Sequence, residues 1–206
     1  GGYFYLEYFS VPLTVFWIVS FTNVVNLMDG LDGLAAGVSG IASVTVILVA
    51  LQQGFYPVAV ITAALAGGII GFIRYNFNPA SIFMGDTGSM FIGYMLAAIS
   101  IFGAVKSAAT IALGLPIMDT AFAIVRRYTN GRPIFQPDKG HLHHRLLAMG
   151  LSQRQAVLLM YVISAVLGIA AILLTEVDGY LAAGIIACII SGVALGAKKI
   201  GILNDR

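Results

Sequence analysis

Charge is what this chain of 206 residues lacks: 10% of its side chains are Asp, Glu, Lys or Arg, against about 25% in soluble domains. That scarcity excludes an ordinary soluble surface, and an apolar content of 59% with a mean hydropathy of +0.95 points to a membrane protein. Cysteine is nearly absent as well. Cys188 is the only one, so no internal disulfide can form, and its place in IIACIISG reads as a small buried hydrophobe. Also missing are an initial Met and a basic stretch followed by a short apolar run and a small-residue cleavage site, so no signal peptide is recognised. A fragment or processed product of a longer chain is expected. The net charge of +2 says little by itself, because in a membrane protein the side on which the charges fall matters more. No nucleic-acid partner is expected.

What the chain has instead is a series of apolar runs, at about 10–26, 35–51, 57–73, 89–105, 107–125, 154–175 and 179–197. Each is long enough, or nearly so, to cross the hydrocarbon as a helix, which takes about 17–25 residues. The expectation is an all-α, polytopic membrane protein with about seven transmembrane helices, residues 1–206 forming a single transmembrane domain. Turn signals separate the runs at QQGFYP, NFNPAS and EVDG. Alternate threading puts segments 27–34, 74–88 and 126–153, with the C-terminal tail, on one side. Ten of the eleven Lys and Arg residues (Arg74, Arg126, Arg127, Arg132, Lys139, Arg145, Arg154, Lys198, Lys199 and Arg206) then share that side, and Lys106 is alone on the other. The excess of basic residues makes the first side cytoplasmic.

Three polar clusters fall on that face. NVVNLMDGLDGLA (23–35) places Asn23 and Asn26 on one helix face and follows them with two Asp-Gly turns, Asp29-Gly30 and Asp32-Gly33. A helix end satisfied by its own Asn and Asp is the bland alternative. A calcium loop would need ligands at alternating positions closed by a bidentate Glu, and none follows. FMGDTGS (83–89) leads into an apolar run, so Ser89 is expected to cap that helix, while Gly85 and Gly88 let backbone N–H groups approach an anion. Asp86 would repel a bare phosphate unless Mg²⁺ lay between them, and Mg²⁺ is usually held by one or two protein oxygens plus substrate phosphates. A capping turn with an incidental Asp is the other reading.

The third cluster, RRYTNGRPIFQPDKGHLHHRLLAMG (126–150), gathers His141, His143 and His144 with Arg132, Lys139 and Arg145, donors suited to a diphosphate. Leu142, Leu146 and Met149 recur at helical spacing, which predicts a short amphipathic helix at the membrane surface ending at Gly150. Ser152 with Gln155 predicts a capping box for the next span. A zinc site is a rival, without the zincin pattern or a nearby cysteine to support it; a basic loop that holds anionic lipid is another. Asp119 follows Pro116 inside the run 107–125. An acid at membrane depth is a functional candidate, or a partner for Arg126 or Arg127.

NVVNLMDGLDGLAAG, FNPASIFMGDTGSMFIGY and RPIFQPDKGHLHHRL together resemble the three signature regions of the polyprenyl-phosphate N-acetylhexosamine-1-phosphate transferases, in order and over nearly the whole chain. The resemblance is nearest to the bacterial undecaprenyl-phosphate GlcNAc-1-phosphate transferases that start wall teichoic acid, O-antigen or related glycans. It implies ten or eleven transmembrane helices in the intact family fold, an active site on the cytoplasmic face of the plasma membrane, UDP-GlcNAc and undecaprenyl phosphate as substrates, and Mg²⁺ as cofactor. By motif, Asn26 and Asp86 correspond to the metal ligands. Gly30, Leu31 and Asp32 correspond to a uridine-contacting segment, and Phe83 to an aromatic that stacks on uracil. His141, His143, His144 and Arg145 fall in the region that meets the donor phosphates; Asp29 is a family acid whose role stays open between structural and catalytic. Asp29, Asp86, His143 and His144 are the candidate catalytic set. The family's N-terminal helices with a paired-aspartate motif are not in this sequence, so the chain is expected to be incomplete as an enzyme. The sister phospho-MurNAc-pentapeptide transferases carry three adjacent histidines where this chain has Arg145 third, which favours the GlcNAc type. A membrane transporter is the remaining alternative, disfavoured because ionisable residues crowd one end of the helices. A homodimer is compatible with this reading.

Overall fold

The computed structural model describes residues 7–102, 105–129, 131, 133 and 140–175. All regular elements among them are helical. A 3-10 turn at Glu7–Phe9 precedes α1 (Ser10–Met28), α2 (Leu34–Gln52), α3 (Tyr56–Asn76), α4 (Gly85–Ile101), α5 (Val105–Ala112), α6 (Gly114–Thr129), α7 (Leu142–Ala148) and α8 (Gln153–Leu174). The expected helix at 179–197, Arg132, Lys139 and the basic tail lie outside the described residues.

Four helices, α1, α2, α3 and α8, are long and apolar enough to cross a membrane. With 17 residues, α4 is slightly shorter. The run 107–125, expected as one helix, is split at Leu113 into α5 and α6. Pro116 has no N–H to return to the carbonyl of Ala112, and Gly114 adds no side chain to stiffen the joint. The start of α4 also differs from expectation. It begins at Gly85, a residue with φ of 65°, so Ser89 sits inside the helix, fully buried, and does not cap it. The predicted Ser152–Gln155 capping box is present, each residue's side chain engaging the other's backbone N–H. α7 ends at a left-handed Gly150 (φ 94°) as expected.

α2 is the axis of the bundle. Its window is 67% buried, against 22% for α1 and 28% for α3, and it packs on α3, α8, α5, α1 and α4. Small residues allow this: a Cβ on Gly37 would lie 1.9 Å from the Tyr161 ring of α8, and one on Gly168 would lie 2.4 Å from Thr45 Oγ1. Across the α1–α4 contact, a Cβ on Gly93 would meet the backbone of Thr22 at 2.8 Å. Close backbone approach is how helices gain contact where lipid removes the hydrophobic drive between them. Three hydroxyls inside the bundle turn back to their own helix, Ser43 to Ser39 O, Thr45 to Ile41 O and Thr62 to Val58 O. Outward, α1, α3 and α8 show Val11, Phe16, Val60, Ile70, Val162 and Ile169 to the surroundings, a face suited to lipid. The chain is a multi-pass membrane protein.

Candidate active site at the polar end of the bundle

The α1–α2 connection reverses in five residues, and the geometry follows from Asp-Gly chemistry. Asp29 N–H bonds Asn26 O and Gly30 N–H bonds Met28 O, and Gly33 takes φ of 82° to start α2. The turn is held from outside as well. Gly33 N–H donates to Asn76 Oδ1 at 3.1 Å, Asn76 Nδ2 donates onward to Ile82 O, and Tyr161 OH donates to Gly33 O. Asp32 Oδ2 accepts from Asn78 Nδ2 at 3.0 Å and from Ala80 N at 3.1 Å. These bonds bind the first cluster to the loop that leads to the second.

The second cluster meets α1 directly. Asn26 Nδ2 donates to Asp86 Oδ1 at 3.2 Å and to Ser89 Oγ at 3.0 Å. Its amide orientation is fixed by having two acceptors, which turns Asn26 Oδ1 away from them. Asn26 and Asp86 each keep one oxygen outside these bonds. Asn23 has an ordinary role: its Nδ2 bonds Val19 O, one turn back on its own helix. Phe83 stands 75% exposed just ahead of α4.

The third cluster closes over the first. A Cβ on Gly30 would lie 2.6 Å from His143 Nε2, so the imidazole rests on the Asp-Gly turn and a side chain at residue 30 would displace it. His141 and His143 stack with parallel rings (5.8 Å, 6°), and His144 tilts against His143 at 4.2 Å. His141 and His143 are buried while His144 is exposed. Arg145 Nε and Arg126 Nη1 both donate to Gly140 O, and Asp119 meets His141 and Leu142 of this cluster. Arg154 Nε donates to Asn78 O and Gln153 accepts from Asn78 Nδ2, which ties α8 to the same end. Leu31 is half-buried in the turn.

The electrostatics separate two groups. Burial, then the charges of Asp86 and Asp32, push the Asp29 carboxyl up to about 6. Burial, then the neighbouring His144, pushes His143 down to about 4. His143 is therefore a neutral imidazole at neutral pH and offers an N–H or a lone pair rather than a charge.

No group of three or more His, Cys, Asp or Glu side chains converges on a metal position among the described residues. The three histidines thus form no zinc cage, since two of them stack and one ring nitrogen of His141 faces Asp119. The Asn26–Asp86 pair has a different donor chemistry, an amide oxygen and a carboxylate, with the Asp29 carboxyl close enough to feel the charge of Asp86. That fits a magnesium ion whose remaining ligands are water and substrate phosphate.

Sequence reasoning brought Asn26, Asp29, Gly30, Leu31, Asp32, Asp86 and the three histidines to one face, and the structure gathers them. It did not single out Asn76, Asn78, Gln153 or Tyr161, which hold the turns together. The signal for the first two was the pair of asparagines in NFNPAS, readable in sequence only as a turn. It also read Ser89 as a cap where the folded chain makes it the partner of Asn26.

The clusters describe a membrane-embedded helical bundle with one polar end. The profile of Glycosyl transferase family 4 matches residues 2–104, half of the chain, and the chain belongs to that family. It is 44% identical over 210 residues, 98% of its length, to the probable undecaprenyl-phosphate N-acetylglucosaminyl 1-phosphate transferase of Bacillus subtilis (strain 168), covering 59% of that protein. It is 45% identical over 125 residues, 52% of this chain and 31% of the relative, to the decaprenyl-phosphate N-acetylglucosaminephosphotransferase of Mycobacterium leprae (strain TN). It is also 35% identical over 165 residues to a phospho-N-acetylmuramoyl-pentapeptide-transferase of Clostridium botulinum (strain Eklund 17B / Type B), covering 79% of this chain and 50% of the relative. The chain thus spans 31% to 59% of the length of these relatives.

Proposed function

We propose that the intact protein transfers GlcNAc-1-phosphate from UDP-GlcNAc to undecaprenyl phosphate and releases UMP, the first membrane step of a bacterial cell-envelope glycan, at the cytoplasmic face of the plasma membrane. The observation that carries this reading is the meeting of three separate motifs at one end of the bundle: Asn26 on Asp86, and His143 on Gly30. The names of the relatives support the substrate class, and the crowding of basic residues on that side supports the orientation.

In this reading an oxygen of the lipid phosphate attacks the donor phosphorus that bears the sugar. The bond from that phosphorus to the bridging oxygen breaks, and UMP departs with the oxygen. Such a transfer asks mainly for positioning and charge neutralisation. Asn26 and Asp86 would hold a magnesium ion, which would supply part of that neutralisation. His143 gives a hydrogen bond rather than a charge, because it is buried and neutral; His144, exposed beside it, and Arg145 complete the phosphate contacts. Gly30, Leu31 and Asp32 meet the uridine, with Phe83 as an exposed ring for the base. No protein nucleophile is needed, since a phosphate monoester with a second pKa of about 6 is largely dianionic at neutral pH. Asp29 is the least defined member, a half-buried acid between two others. An apolar cavity of about 610 Å³ between α3 and α4, lined by Val60, Gly68, Phe72, Met84, Gly88 and Phe91, suits the acceptor's prenyl chain. Gly68, which lines it, faces open space rather than a neighbouring helix.

The test is UMP release by the full-length protein from UDP-GlcNAc and undecaprenyl phosphate, with and without Mg²⁺. Asp86→Ala should lower kcat by about 10²- to 10³-fold, with an unchanged thermal midpoint. An unchanged rate would defeat the metal assignment. Preference for the MurNAc-pentapeptide donor over UDP-GlcNAc would move the protein to the sister activity.

A further inference from the structure

An acid placed in an apolar helix is costly unless its oxygens are taken by donors. Asp119 lies in α6, just beyond the break at Leu113, with its side chain 13% exposed. Its Oδ2 is 2.9 Å from His141 Nδ1, and its Oδ1 accepts the backbone N–H of Leu142, the first residue of α7, at 2.8 Å. One carboxylate thus holds a ring and a helix start together. A carboxylate accepts only, so His141 carries its proton on Nδ1 and presents Nε2 elsewhere. The His141 ring, 8% exposed, lies parallel to His143, which in turn rests on Gly30. Gly140, the residue before, is fixed by Arg126 and Arg145, and a Cβ there would be 2.2 Å from Arg126 Nη2. The position of the histidine stretch over the Asp-Gly turn is therefore set from α6.

We propose that Asp119 is a positioning residue for the histidines that meet the donor phosphates: it fixes the tautomer of His141 and seats the start of α7, so that His143 lies on Gly30. This rests on the sugar-phosphate transfer reading above. Asp119 touches neither substrate nor metal, and it acts through His141. The break at Pro116 gives the proposal its structural sense, because a helix interrupted in the membrane starts again with a side chain aimed at the surface loop. A purely structural cap would accept the Leu142 N–H and be indifferent to the ring.

Full-length protein in lipid nanodiscs, with histidine ring nitrogens labelled, separates the two roles. At about pH 8, where ordinary imidazoles are neutral, His141 should show the Nδ1-protonated pattern. Asp119→Asn keeps an acceptor for Leu142 but turns an amide donor toward the ring, and should convert His141 to the Nε2-protonated form. That variant should lose about 10- to 100-fold in kcat for UMP release, with a thermal midpoint within about 2 °C of the parent. Asp119→Glu should recover part of the rate, and His141→Gln should cost about as much as Asp119→Asn, with the double variant no worse. The proposal is overturned by an Nε2-protonated His141 in the parent, by Asp119→Asn at the parent rate, or by losses that add. A parent protein that releases no UMP, yet shows the tautomer change in Asp119→Asn, would instead defeat the transfer reading and uphold the Asp119–His141 arrangement.

Discussion

The body of the bundle and its polar end use the same kinds of side chain in opposite ways. In the body, Ser43, Thr45 and Thr62 bond carbonyls four residues back on their own helices, so these hydroxyls ask nothing of a neighbour, while Trp17 Nε1 donates across α1 and α4 to Ser100 Oγ at 2.8 Å. The contacts between helices are otherwise left to small residues such as Gly37, Gly93 and Gly168. At the polar end, side chains bond far along the chain, Asn26 to Asp86, Asp32 to Asn78 and Asn78 to Gln153. The body is therefore demanding in volume, and the polar end demanding in the pairing of its side chains as well.

The largest break in this contrast should come from volume in the body. Gly37→Leu should prevent accumulation of folded protein, and Gly37→Ala should destabilise by about 1–3 kcal/mol, because Tyr161 must leave the Gly33 carbonyl to make room. Thermal unfolding in detergent measures this; an unchanged midpoint for Gly37→Ala would remove the packing argument. Gly30→Ala is the matching change at the polar end. Its Cβ meets His143 and no core residue, so kcat should drop by about 10- to 100-fold while the midpoint moves little. Equal damage to stability and rate would mean that the turn is structural rather than part of the site.

A smaller effect is expected from the Asp32–Asn78 bond. A double-mutant cycle with Asp32→Ala and Asn78→Ala should give a coupling of about 1 kcal/mol in stability, the scale of a partly exposed hydrogen bond to a charge. Zero coupling would leave Asp32 free of a structural duty and entirely available to substrate.

The smallest effect sharpens the electrostatic half of the comparison. With divalent cations chelated, Asp29, raised from 3.8 to about 6, stabilises the fold below pH 3.8, and that contribution is lost as pH rises through about 6. His143, lowered from 6.5 to about 4, stabilises above pH 6.5 and loses its contribution as pH falls through about 4. Between those limits the two oppose each other, so the parent's midpoint should be nearly flat. Asp29→Asn should leave a midpoint that falls on acidification, and His143→Gln one that rises. The same slope in both variants would show that neither group controls it.

Much of this was legible without coordinates, for a physical reason. Lipid excludes unpaired backbone groups and charge, so span positions follow from apolar runs of the right length, and helix parity then sends the Asp-Gly turns, FMGDTGS and the histidines to one end. The capping box at Ser152 was readable because its two partners are three residues apart. Ser89 was misread as a cap because a Ser before an apolar run looks the same whether the helix starts there or a turn earlier at a left-handed Gly85. The split of 107–125 followed from Pro116, whose presence was noted but whose lost hydrogen bond shows only in the folded chain.

Sequence by itself determined that this is a multi-pass helical protein with a polar end made of three motifs, since composition and periodicity are local properties that solvent and lipid act on directly. Tertiary structure alone decided who touches whom: that Asn26 faces Asp86 and Ser89, that His143 lies on Gly30, and that Asp119 seats the histidines. Those contacts join residues 22 to 113 positions apart. Their geometry depends on how the helices cross, which no window of sequence contains.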